Sequence, residues 1–296
     1  MKIGVLGNCQ AHGVAQCIRL LAPQVEVVSR SVSLADGDNA EVIAAVAAEM
    51  AACDLALIQT LNEVQPRLAN LFETALAQTG SRARRWPSII FRGFHPDCVY
   101  VVRDGRVAEG IAGPYHSALL CAAWAEGLPP ERAALLFNAF AYAALGYFDA
   151  FDEAVALLEP QTRRHGFDLS AFLNAPASPF MHTVNHPRVE ILQSVAAQVL
   201  DLAGVSRVPT APLPDDELSH GPVWPAYPQL AHRGGWTPAP ASWDPRDMEA
   251  VAPLAYDALD RVGDRTLGQA SGEQVIQRAR EFIRTYVLHR AEHAAQ

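Results

Sequence analysis

Cys9 is flanked by two amide residues, Asn8 and Gln10, at a point where the chain changes character. Before it runs the apolar stretch Ile3-Gly-Val-Leu-Gly7, and after it Val14, Cys17, Ile18 and Leu21 recur at helical spacing. Cys9 therefore stands where a buried strand turns into a helix. Unpaired N–H groups and the positive end of the helix dipole favour a thiolate there, and the same N–H groups can hold an oxyanion or a phosphate. This is a setting for a nucleophile. The alternative is a small buried cysteine in a tight turn.

The second group is His182-Thr-Val-Asn185-His186-Pro187. With Pro187 as the first position of a helix, His186 lies on a short loop, where it can act as general base for a thiol or hydroxyl. His182 is the second choice, and in the alternative reading either histidine only caps the helix. The two histidines are spaced like a metal pair. The glutamate of metalloprotease motifs is missing between them, however, and Pro187 breaks the helix, so no metal site is expected. His95, in Gly93-Phe-His-Pro-Asp97, can orient a base or bind a substrate hydroxyl, or else satisfy a backbone carbonyl. Asp97 is expected to begin a turn with Pro96. The run Arg82-Ala-Arg84-Arg85-Trp86 reads as a solvated patch or as a grip on a phosphorylated cofactor tail. Arg163-Arg164-His165 is explained by a helix C-terminus.

These residues need a scaffold that brings loops together. Strand and helix alternate through the first hundred residues: strand 2–7, helix 10–22, strand 25–29, helix 39–52 capped by Asp38, strand 54–59, helix 64–78 and strand 88–91. That order implies α/β architecture with a small parallel N-terminal sheet and right-handed crossovers. Ligands bind such sheets at the carboxyl ends of the strands, which would gather Asn8–Gln10, Ser29-Arg30, Gln59-Thr60 and Gly93–Asp97. Asp104-Gly105 marks a hairpin. Helices are expected over 116–126, 130–145, 150–164 and 187–203. An irregular Pro- and Trp-rich segment, 206–246, and a last helix, 271–289, complete the chain.

Composition restricts the function. The chain of 296 residues is 50% hydrophobic and carries a net charge of −9, which argues against a general nucleic-acid binder. Lys2 is the only lysine, so an anionic ligand must be met by Arg, backbone N–H or helix ends. Five cysteines without a C-x-x-C pair fit reduced thiols. No secretory signal or membrane-spanning stretch is read, so a cytoplasmic protein without membrane insertion is expected. No complete dinucleotide or Walker motif occurs.

Taken together, Ile3-Gly-Val-Leu-Gly-Asn-Cys-Gln10, Phe91-Arg-Gly-Phe-His-Pro-Asp97 and His182-Thr-Val-Asn-His-Pro187 resemble the WcbI-type polysaccharide biosynthesis family, proposed acetyltransferases of capsular sugars that bind coenzyme A. The resemblance spans about residues 1–205, leaving 206–296 as a Pro/Trp-rich appendage with a C-terminal helix packed on it. It implies acyl transfer from acetyl-coenzyme A to a saccharide hydroxyl. Cys9 would then be nucleophile or donor-positioning thiol and His186, with His182 as second choice, the base, while His95 would orient it or bind the substrate hydroxyl. The backbone around Cys9-Gln10, with Asn8 or Gln59, would form the oxyanion site, and a guanidinium from Arg82, Arg84, Arg85 or Arg92 would hold the cofactor phosphate. A looser resemblance to SGNH hydrolases also exists, but Thr183 stands where those enzymes place an Asp. The rival readings are a Cys-dependent glycan esterase, which needs no coenzyme A, and a non-catalytic glycan-binding protein whose surface would be the segment 224–243.

Overall fold

The computed structural model of the protein describes residues 1–33, 36–60, 68–103, 106–262 and 269–288. In chain order its first elements are β1 (Lys2–Gly7), α1 (Gln10–Leu21), β2 (Glu26–Ser31), α2 (Ala40–Ala51), β3 (Leu55–Gln59), α3 (Ala69–Thr79) and β4 (Ala83–Trp86). There follow β5 (Cys98–Arg103), β6 (Arg106–Val107), β7 (Tyr115–Ser117), α4 (Ala118–Ala125), α5 (Pro130–Ala134), α6 (Ala139–Ala144) and α7 (Ala150–Arg164). The last are α8 (Ser170–Leu173), α9 (Val189–Leu202), α10 (Pro228–Gly234), α11 (Met248–Val262), β8 (Gln269–Ser271) and α12 (Glu273–Ile283).

The chain divides into two compact units. One holds Met1–Ile90, Ala156–Asn174 and Asn185–His220, the other Phe91–Val155, Ala175–Val184 and Gly221–Gln296. Each unit therefore draws residues from both sides of the boundary expected at 205.

The first unit is built on a parallel sheet of order β2-β1-β3-β4. Sequence sets which strands are central. Apolar β1 and β3 are buried almost throughout, whereas Glu26-Val-Val-Ser-Arg-Ser31 and Ala83-Arg-Arg-Trp86 leave most positions partly or fully exposed at the edges. Leu6, Ile58, Val46, Met50, Leu71 and Phe72 form part of its core. Gly13 lets α1 and α9 approach closely, since a Cβ there would come within 2.5 Å of Leu192 Cδ1.

The expected fourth strand, 88–91, is not the strand that forms. The basic run itself becomes β4, because Pro87 removes a ladder donor immediately afterwards. Beyond it, the Ile89 N–H is taken by the Gln10 side chain and the Phe91 N–H by Val184 O. Asn39, not Asp38, caps α2, accepting from Glu41 and Val42 N–H. Helix α9 starts at Val189 with Arg188 as its N-cap, so Pro187 lies outside the helix. The helix expected over 130–145 is two helices, and the Asn138 side chain caps the second by accepting from Ala141 N–H. Residues 61–67, which include the first four positions of the helix expected over 64–78, and the hairpin turn Asp104-Gly105 lie outside the described residues.

In the second unit, β5 is the centre of an antiparallel sheet, pairing with β6, β7 and β8. Leu119, Tyr142, Val251, Leu259 and Phe282 belong to its largest core cluster. Phe91, Phe94, Phe151, Phe180 and Trp236 form a linked set of aromatic contacts, with ring centroids 4.8–5.5 Å apart. Helix α11, with Pro253 inside it, was not anticipated in the sequence. Among the described residues no helix is long and apolar enough to cross a membrane.

Candidate functional site

Gly7 makes the turn after β1 possible. A Cβ at this position would lie 2.6 Å from the Trp86 ring and 2.8 Å from Gln59 Oε1. With no side chain in the way, Gln59 Oε1 accepts the Asn8 N–H (2.8 Å). Asn8 Oδ1 in turn accepts the Gln10 N–H (3.0 Å), which folds the chain into the first turn of α1. No hydrogen-bond partner of the Asn8 side-chain NH2 is found among the described residues.

Gln10, fully buried, uses all the main hydrogen-bonding capacity of its amide. Its Nε2 donates to Ile89 O (2.8 Å) and Asn185 O (2.9 Å). Its Oε1 accepts from Gln59 Nε2 (3.1 Å) and from the Ile89 N–H (3.1 Å). One side chain therefore ties the Cys9 turn to the end of β3, to the segment after β4 and to the residue preceding His186. Gln10 and Gln59 are brought together as expected, but as a clamp whose amides are committed to protein partners.

Cys9 is the N-cap of α1, with φ −51° and ψ −21°. It is half-buried, whereas Cys17, Cys53, Cys98 and Cys121 are buried, and all five are free thiols. The expectation of a thiol acidified by the helix start is corrected by its surroundings. Burial pushes the Cys9 thiol up to about 11, outweighing the N–H groups of Cys9 and Gln10, which pull it down. Loss of hydration here exceeds what two amide dipoles return. The resting group is a neutral thiol that needs a base. His186, also half-buried, follows the clamped Asn185 on the approach to α9.

The basic run does not point where a phosphate grip at Cys9 would need it. Arg82 donates to Cys53 O (2.6 Å), just before β3, and Arg84 turns back to Ser81 O and Ala83 O, so both face the amino ends of the strands. Arg85 pairs with Glu73 on α3 (3.2 Å).

The second unit holds the other expected residues. His95 is 2% exposed; burial pushes its imidazole down to about 4, so it stays neutral. Its Nε2 lies 3.3 Å from Met181 O, and its buried Nδ1 makes no formed hydrogen bond among the described residues. His182 is buried as well. Arg92 donates to Cys98 O (3.2 Å) and passes close to Gly272, whose φ of +85° and missing Cβ leave room for it. Asp97 forms the expected turn with Pro96, closed by the Cys98 N–H donating to His95 O (3.0 Å), but its side chain does more than shape that turn. Its carboxyl is fully enclosed and accepts from Tyr147 OH (2.7 Å), Tyr227 OH (2.5 Å) and the Leu119 N–H (2.9 Å). Trp224 and Tyr227 are in the core (2% and 1% exposed), so they provide no surface for a glycan. Among the described residues no group of three or more His, Cys, Asp or Glu could hold a metal ion.

Sequence reasoning passed over His12, one turn after Cys9. It meets Glu217 Oε1 at 3.3 Å and Ser29 Oγ at 3.4 Å. A Cys-x-x-His spacing at a helix start was the available signal for His12, but nothing local pointed to Glu217.

Residues 2–208 match the model of the family described as polysaccharide biosynthesis enzyme WcbI. The chain belongs to this family. Membership makes it an enzyme of polysaccharide biosynthesis. A solved structure of WcbI, described as a novel polysaccharide biosynthesis enzyme, shares the fold with a TM-score of 0.62 at 17% identity, over 94% of this chain and 98% of that one. That structure is described as native protein without a disulfide bond between coenzyme A and a cysteine. No curated protein matches the chain.

Proposed function

We propose that the protein transfers an acyl group, acetyl in the simplest case, from acyl-coenzyme A to a hydroxyl of a capsular or other surface-polysaccharide sugar. The observation that carries this reading is the construction around Cys9. It is the one cysteine not fully buried, held at a strand-to-helix turn that a single buried amide locks to the residue before His186. The coenzyme A and cysteine named for the solved WcbI structure support the same donor.

The residues present fit such a donor at its thioester end, where the half-buried Cys9 meets a helix-start N–H and the Asn8 amide. Acyl-coenzyme A supplies an activated carbonyl. His186 takes the thiol proton, because Cys9 at about 11 cannot ionise unaided near neutral pH. The Cys9 sulfur then attacks, and the Cys9 backbone N–H with the Asn8 NH2 receives the developing oxyanion. His186 returns its proton to the leaving thiol. Arg84 and Arg85 are engaged elsewhere, so backbone N–H groups and helix ends are the main phosphate donors left near the turn.

Calorimetric titration of coenzyme A, followed by thiol release from acetyl-coenzyme A on adding methyl glycosides, tests the reading. Binding with acceptor-dependent thiol release supports it. Hydrolysis of acetylated glycosides without any coenzyme A binding would instead establish the esterase.

A further inference from the structure

The start of α1 carries a second polar cluster that the chemistry above leaves unused. Cys9 has helical dihedral angles, so His12, three residues on, shares its helix face with Cβ atoms about 5–6 Å apart. Helical Cα–Cβ bonds lean toward the N-terminus, which tips the His12 side chain back over the turn that Cys9 opens.

His12 Nε2 lies 3.3 Å from Glu217 Oε1, and Nδ1 lies 3.4 Å from Ser29 Oγ on β2. Gln16 Nε2 donates to the same carboxylate oxygen (2.9 Å) and sits 3.2 Å from His12 Nε2. A carboxylate can only accept, so we assign the ring proton to Nε2 and the lone pair to Nδ1, facing a hydroxyl. The His12 and Glu217 side chains are 45% and 43% exposed, open to an incoming molecule. The contact to Ser29 is longer than a formed O–H···N bond, so a better-placed hydroxyl can take its position at little cost.

We propose that His12, backed by Glu217, is the acceptor-side base, binding the sugar hydroxyl and taking its proton as it attacks the acyl group on Cys9. This rests on the acyl-transfer reading and assigns its second half. A C–O bond forms between the sugar oxygen and the acyl carbon. The C–S bond to Cys9 breaks, its electron pair stays on sulfur, and the hydroxyl proton moves to His12 Nδ1. His12 then gives that proton to solvent and Cys9 regains one from it, restoring the starting state.

The test separates the two halves in the full-length protein. Acetyl-coenzyme A is added without acceptor and acetyl-Cys9 is followed by intact mass. Methyl hexopyranosides are then supplied, with water as the baseline acceptor. His12→Gln is expected to acylate at the wild-type rate and to lose the acetyl group about 100-fold more slowly. Glu217→Gln should slow the second half less. The ionisation seen in the wild-type deacylation profile should vanish in His12→Gln. An exposed polar contact of this kind is worth at most about 1 kcal/mol, so these variants remain folded. Wild-type deacylation by His12→Gln with an unchanged pH profile would overturn the proposal while leaving acyl transfer intact. Equal loss of both halves would also overturn it. A wild-type protein that never acylates Cys9 would instead refute the reading on which the proposal rests.

Discussion

Raising the pH across a labelling series isolates the tension at Cys9 between its position and its burial. The helix start alone predicts fast alkylation below the pH of an ordinary thiol. Burial predicts the reverse, because the thiol rises from 9.0 to about 11. Two units cut the thiolate fraction near neutrality about 100-fold. A more basic thiolate is also a better nucleophile, with a Brønsted slope of about 0.4–0.5, which recovers roughly 8-fold. Iodoacetamide should therefore label Cys9 in the free protein roughly 10-fold more slowly than a solvent-exposed thiol of a model peptide at about pH 8. The rate should climb about tenfold per pH unit until about pH 10. Peptide mapping separates Cys9 from the other four cysteines, which should label more slowly still. An inflection below about pH 8 for Cys9 would refute the claim that desolvation outweighs the amide dipoles and would remove the need for a base.

Replacing Gln10 by Leu leaves up to four buried polar partners unsatisfied, and the protein should lose about 3–5 kcal/mol in urea unfolding, with Cys9 labelling accelerated as the turn loosens; an unchanged midpoint would show that the clamp is dispensable. His95 has a folded pKa of about 4 against 6.5, so its contribution is fully present above pH 6.5 and is lost as pH falls toward 4. That is worth about 3 kcal/mol at most, and His95→Gln should flatten the wild-type loss of stability in this window, as read by denaturation at a series of pH values. Tyr227→Phe removes one donor from the enclosed Asp97 carboxyl and should cost about 1–2 kcal/mol of stability, visible as a lower denaturation midpoint.

The parallel sheet was legible because each of its first three strands is a short apolar or β-branched run separated from the next by a helical period. Strand order was not, since β1 lying between β2 and β3 depends on crossovers and not on local pattern. The fourth strand was displaced for a local reason. Ser88-Ile-Ile-Phe91 is the more apolar run, yet tertiary hydrogen bonds take its N–H groups and the less apolar Ala83–Trp86 pairs with β3. Helix α11 was hidden by Pro253, which reads as a breaker although the flanking residues supply a buried face. Strand β8 pairs with β5 from about 170 residues further along the chain, and no short-range signal reveals such a partner. At the site, the Asn8-Cys9-Gln10 turn was visible, while the direction of the Cys9 shift was not. Helix position can be read from spacing, but burial depends on what packs above it. The link from His12 to Glu217 was invisible for the same reason as β8.

Acyl transfer through Cys9 is tested most directly by mixing the protein with radiolabelled acetyl-coenzyme A in the absence of sugar, quenching in acid and mapping the label. Acetyl on the peptide containing Cys9, absent in Cys9→Ala, is the predicted result. Acceptor-dependent release of coenzyme A that persists in Cys9→Ala, with no acetyl on Cys9 in the parent protein, would contradict it.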